Sequence, residues 1–226
     1  LYWDLEKFYD RLDLKRILRL GRRMKYPLRP LVLVVQAHSA NARIRTKGSF
    51  GPVTVRQKPV RAGCSQANNL ARMSLHDILE QIHADHGPPK QFPIRLWSFV
   101  DDLTQRFEGP SYRAVPTMLM AARQLADELV AIGQKISVKS VAVSNHMWCS
   151  RALSESLRAY GVPVSYGRCT KDLGVDCTAG LRRTTGTLKA RMAKGRKRAK
   201  VNKWLAGLRR RSARLFNTNT YSVMMY

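Results

Sequence analysis

Three carboxylates stand where metal-assisted chemistry would need them. Asp4 lies at the end of Leu1–Leu5, which reads as a short strand, and Asp101-Asp102 follow another, Ile94–Val100. If those strands are neighbours, all three side chains share one edge of a sheet. Nucleotidyl transfer onto a nucleic-acid 3′ end requires two divalent ions roughly 4 Å apart, held by carboxylates from separate segments. Hard oxygen ligands favour magnesium, with manganese as the alternative, over zinc. An Asp-Asp pair by itself more often marks a solvated turn, so the elements around it decide its meaning.

Those elements follow from periodicity and punctuation. Asp13 can cap a helix running to Met24, with Leu14, Ile17, Leu18 and Gly21 on one face. Leu31–Ser39 is open between strand and helix, because its β-branched run is followed by helix formers. Ala42–Thr46 and Val53–Gln57 look like strands around a turn at Lys47–Pro52. Leu75, Ile78, Leu79 and Ile82 form the stripe of an amphipathic helix within Leu70–His83. Ile94–Val100 and Leu103–Phe107 read as a hairpin carrying Asp101-Asp102 at its tip. A helix is expected over Thr117–Ile132, a strand over Lys135–Val143, a helix over Ser150–Tyr160 and a strand over Val162–Tyr166. The sum is an α+β fold, or an α/β one, with one sheet covered by helices on one face.

Composition narrows the partners. In 226 residues, 44% hydrophobic and 25% charged, 41 Lys and Arg stand against 15 Asp and Glu, a net charge of +26. Such an excess is best tolerated beside a polyanion, which makes nucleic acid the leading partner. No acid follows Asp176, and Arg182–Arg214 carries fourteen Lys or Arg with Leu188, Val201, Trp204, Leu205 and Leu208 between them. This is a basic helical tail, and Lys189, Arg191, Lys194, Arg196, Lys197, Arg198 and Lys200 are its candidate phosphate contacts. Lys194–Arg198 could also serve nuclear import. The longest purely apolar run, Leu31–Val35, is far short of the about 20 residues needed to span a bilayer, so no membrane partner is expected. Four cysteines without a C-x-x-C pair form no disulfide framework and suggest a reducing, intracellular setting, nucleus or cytoplasm. His83-x-x-His86 and His146-x-x-Cys149 lack a regular zinc pattern.

Five segments, in order, resemble the palm motifs of reverse transcriptases of the non-LTR retrotransposon type. Tyr2–Leu12 is similar to the first motif, D-L-x-x-A-F-D-x-V, with Asp4 as metal ligand and Tyr9 at the aromatic steric gate. Arg61–Leu70 resembles R-G-V-P-Q-G-S-P-L-S-P: Gln66 matches, while Ser65 replaces proline, Ala67 glycine and Asn68-Asn69 Ser-Pro. Phe99–Asp102 matches the aromatic-x-D-D box, which implies that Asp101 holds metal and Asp102 supports it. Lys139-Ser140 stands where the family keeps Lys-Thr, implying a proton donor to leaving pyrophosphate. Asp172-Leu173-Gly174-Val175 resembles the primer-grip Tyr-Leu-Gly-Val with Asp172 in place of Tyr.

The resemblance implies a polymerase palm over residues 1–177, with an antiparallel sheet under helices, and a thumb-like basic segment over 178–226. It implies catalytic Asp4, Asp101 and Asp102, with Tyr9, Gln66 and Lys139 at the nucleotide. The partners it implies are magnesium, an RNA template, a DNA primer and deoxynucleoside triphosphates. The family's fingers have no counterpart, and a start at Leu1 inside a strand suggests a fragment whose longer parent chain supplies them. Without fingers, an apolar palm surface is expected to be exposed. The alternative function is a catalytically inactive remnant that binds nucleic acid through its basic surface. A third, a basic RNA-packaging or ribosome-associated module, leaves the motif order unexplained.

Overall fold

The computed structural model describes residues 1–41, 43, 45–46, 48–53, 60, 64–172, 175–178 and 185–206. The elements in chain order are β1 (Tyr2–Trp3), a 3-10 turn (Phe8–Arg11), α1 (Leu14–Arg23), α2 (Leu28–Ser39), β2 (Arg45–Thr46) and β3 (Ser49–Phe50). They continue with α3 (Ala67–His86), β4 (Ile94–Phe99), β5 (Asp102–Phe107), α4 (Ser111–Ala131), β6 (Val141–Val143) and α5 (Met147–Ala159). The chain then forms β7 (Ser165–Gly167), β8 (Cys169–Asp172), β9 (Val175–Thr178) and α6 (Gly186–Ala206). Helices and a largely antiparallel sheet are thus mixed, as α+β.

The chain divides into two compact units, one of residues 1–142 with 148–165, the other of 143–147 with 166–226. In the first, the sheet has the order β4-β5-β1-β6-β7. β4 and β5 pair from Ile94↔Phe107 to Phe99↔Asp102. β1 lies antiparallel to β5, with Tyr2↔Thr104 and Trp3↔Leu103, and to β6 on its other side. α3 and α4 pack against β4 and β5, burying Ile78, Ile82, Ala121, Leu125 and Leu129 against Trp3, Ile94 and Leu103 in one core. Alternation follows the pleat: Leu103 and Gln105 are buried, whereas Thr104 and Arg106 are not.

The second unit holds the β8–β9 hairpin, paired Cys169↔Thr178 to Asp172↔Val175, against which α6 packs. Its motif residues Leu173 and Gly174 lie outside the described residues, as do 207–226, which carry Arg209, Arg210, Arg211 and Arg214.

Several elements match the local signals. Asp13 caps α1 through its side chain, which accepts from the Lys15 amide at 2.8 Å, and Met24 ends it. Asp13→Ala is expected to cost about 1 kcal/mol, the usual worth of an N-cap, read as a lower urea midpoint; an unchanged midpoint would mean the helix is held by Ile17 and Leu20 alone.

Other elements differ from their local signals, each with a reason. Leu28–Ser39 is a helix, because Pro27 sits at its N-cap and Pro30 in its first turn, where proline costs no helical hydrogen bond. α4 starts at Ser111 rather than Thr117 and carries Pro116 inside it; Pro116 is exposed, so water can serve the carbonyl it leaves unpaired. The expected strand Lys135–Val143 is reduced to β6. The Ser137 hydroxyl accepts from the Lys139 amide at 3.2 Å and the Ser140 amide donates to the Ser137 carbonyl at 3.1 Å, closing a turn where an extended chain was expected. β2 pairs Arg45↔Phe50 and Thr46↔Ser49, a tighter hairpin than the one read around Lys47–Pro52; most of Val53–Gln57 lies outside the described residues. None of the four cysteines is in a disulfide.

Candidate functional site

Strand pairing brings two of the three candidate carboxylates, Asp4 and Asp102, to one end of the sheet. β1 pairs with β5 as far as Trp3↔Leu103, so Asp4 and Asp102 are the next residues of their segments at that end of the sheet. Asp4, Asp101 and Asp102 are all half-buried. Asp101 is close enough to Tyr9 for its charge to act, after desolvation, in raising the phenol above its ordinary value. The Tyr9 hydroxyl donates to Asn68 Oδ1 at 2.9 Å.

The backbone at Asp4 is held from the far side by the Ser137–Ser140 turn. The Asp4 amide donates to Ser140 Oγ at 3.1 Å, and its carbonyl accepts from the Ser137 amide at 2.8 Å. Ser140 is completely buried, and its own carbonyl accepts from the Ser165 amide at 2.9 Å and the Ser165 hydroxyl at 3.1 Å. This serine therefore ties Asp4 to the chain entering β6 and to β7. Ser140→Ala would leave the Asp4 amide without its acceptor, a loss of about 1–2 kcal/mol, to be read in urea; no change would mean that water takes the hydroxyl's place. Sequence reasoning noted Ser140 only as a neighbour of Lys139. Lys139 itself is exposed at the turn before β6.

The hairpin tip is strained. Val100 has φ 62°, a conformation that L residues rarely adopt and that a β-branched one adopts least. Its cost, of order 1–3 kcal/mol, is borne because the flanking ladder is paired to its last residues and Val100 is buried, at 7% exposure. Lys7, at φ 54°, precedes the 3-10 turn that carries Tyr9. Phe8 is buried and Tyr9 stands edge-on to it, with ring centroids 5.5 Å apart. Strain of this kind concentrates at sites where geometry matters more than stability. No periodic signal marks Val100 or Lys7.

Gln66 is the N-cap residue of α3. Its side-chain oxygen accepts from the Tyr26 hydroxyl at 3.1 Å and from Asn69 Nδ2 at 2.9 Å. Ala67, where the resembled motif has glycine, is 1% exposed and belongs to the core, so its methyl group does not stand on the surface beside Gln66. Arg61, Ala62 and Gly63 of that motif lie outside the described residues. Trp97 and Phe99 of β4 are 45% and 59% exposed. They pair with Thr104 and Asp102, and the pleat sets them on the sheet face away from Leu103 and Gln105.

In the second unit, α6 presents Lys189, Lys194, Arg196, Lys197 and Lys200 to solvent, whereas Arg191 and Arg198 are half-buried. The inward side also holds Thr187 and Gly195, which are buried. Five of the seven candidate phosphate contacts are thus free of burial, along about 16 Å of helix. The inward turn of two arginines is not readable from a segment that is basic all round.

Among the described residues, no group of three or more His, Cys, Asp or Glu gathers as a metal-holding set, and no helix is long and apolar enough to cross a membrane. No family model matches the chain, and no curated protein matches it.

Proposed function

We propose that this chain is the palm region of an RNA-directed DNA polymerase of the non-LTR retrotransposon type, acting on an RNA template, a DNA primer and deoxynucleoside triphosphates. The observation that carries the reading is the pairing of β1 with β5 up to Trp3↔Leu103, which leaves Asp4 and Asp102 at the same end of the sheet, at the tip of the β4–β5 hairpin. In this reading the setting is the nucleus or cytoplasm.

The donor set fits magnesium, which is usually held by one or two carboxylates completed by water and substrate phosphates rather than by an all-protein cage. Asp4 and Asp101 would hold it, with Asp102 in support; when bound, the metal supplies charge neutralisation at the phosphate and activation of the 3′-hydroxyl. The protein's own groups orient the reactants. Tyr9 stands against a ribose 2′-hydroxyl, Gln66 shapes the nucleotide pocket from the start of α3, and Lys139 is an exposed proton donor for leaving pyrophosphate. Trp97 and Phe99 offer exposed rings on which bases can stack. The exposed cations of α6 contact phosphates without reading sequence.

A second reading, a catalytically inactive remnant that binds nucleic acid by charge, is favoured by the departure at Ala67, where the resembled motif has glycine. One experiment separates the two: primed poly(rA) with dTTP and magnesium. Extension supports the polymerase; absent extension with salt-sensitive template binding supports the remnant.

A further inference from the structure

We propose that Asn68 is a specificity-determining residue, which pins Tyr9 in the position that rejects ribonucleoside triphosphates; this rests on the polymerase reading above. The two residues come from separate parts of the chain. Tyr9 is in the 3-10 turn after β1, and Asn68 is the second residue of α3. The Tyr9 hydroxyl donates to Asn68 Oδ1 at 2.9 Å across 59 residues of sequence.

A gate that selects by collision works only if its ring stays in place when a 2′-hydroxyl pushes on it. Three features hold this ring. Phe8 is buried and packs edge-on to it. The left-handed Lys7 sets the direction of the turn. Neither Phe8 nor Lys7 restrains the far end of the phenol, which is the end a sugar would displace. That end is held by Asn68, on a helix anchored through the buried Ala67 and Leu70. The neighbouring Asn69 is committed elsewhere, donating to Gln66 Oε1, so the gate and the Gln66 contact are built by consecutive residues of one helical turn.

The acceptor character of Asn68 is what the phenol uses, since it must give its proton to an oxygen. Asn68 is exposed and close to the helix start, so alanine there leaves the core untouched and suits the helix. Removing the acceptor frees the ring to swing and admits a ribose. Tyr9→Phe removes the other half of the same bond while keeping the ring.

The test measures dTTP and UTP side by side with the intact chain on primed poly(rA) and primed poly(dA) in magnesium, both as equilibrium binding by fluorescence and as incorporation. Wild-type protein is expected to prefer dTTP. Asn68→Ala is expected to reduce that preference roughly two- to tenfold, the range of one hydrogen bond, in binding and incorporation alike. Tyr9→Phe is expected to do the same, and the double variant no more than either single change, because both remove one interaction. A wild-type preference that Asn68→Ala leaves intact, or effects that add in the double variant, would overturn the role of Asn68 while leaving the polymerase reading in place. Wild-type protein that neither binds nor incorporates dTTP would overturn both.

Discussion

Asp101→Ala together with Asp102→Ala is expected to abolish primer extension, with a fall of about a thousandfold or more. Metal-assisted charge stabilisation in phosphoryl transfer is worth several kcal/mol, and each about 1.4 kcal/mol lost is a factor of ten in rate. The hairpin should survive, because its pairing from Ile94↔Phe107 onward is made by backbone groups and its inward residues Ile94 and Leu103 are unchanged. Template binding should be retained or slightly tightened, since the change removes two negative charges from a chain of net charge +26. Extension measured with labelled primer and binding measured by anisotropy at two salt concentrations decide the matter. Persistent extension in the double variant would end the assignment of these residues as the catalytic carboxylates.

The largest effect on stability is expected at Gln105, a polar side chain with no exposure at all. Its Oε1 accepts from the Trp3 indole at 3.0 Å and its Nε2 donates to the Ala121 carbonyl at 3.2 Å. One side chain therefore joins β1, β5 and α4 inside the core. Gln105→Leu keeps most of the volume but strands the Trp3 indole N–H, while the Ala121 carbonyl keeps its partner within α4. An unmet buried group costs about 1–3 kcal/mol, offset in part by the added apolar surface, so a net loss of about 2 kcal/mol is expected. That is a large share of the about 5–15 kcal/mol by which domains are stable. Equilibrium urea unfolding followed by tryptophan fluorescence reads it directly, and a midpoint within error of wild type would mean that the core rearranges to satisfy the indole. Because Trp3 precedes Asp4, the same variant should also slow extension if the β1 register matters to the site.

Local chemistry alone determined much of this protein. Asp13 announces α1, the stripe Leu75, Ile78, Leu79 and Ile82 announces α3, and the apolar runs on either side of Asp101-Asp102 announce the β4–β5 hairpin. The run of Lys and Arg after Asp176 marks a cationic segment whatever its fold. These signals are legible because they act over a few residues: a cap, a helical face, a turn or a charge run carries its own physical cause.

What tertiary structure decided is which of these segments meet. Asp4 reaches the end of the sheet that carries Asp102 only because β1 pairs with β5 in a register chosen by burying Trp3 and Leu103 on the core face; a slip of one residue would turn Asp4 to the other face. The Ser137–Ser140 turn interrupts an apparent strand because Ser140 finds the Asp4 backbone. The Tyr9–Asn68 bond joins residues with no local relation. Val100 keeps its unfavourable backbone because the paired strands leave it no other course. Each of these depends on pairings distant in the chain, whose free energy comes from shared burial and not from any segment alone.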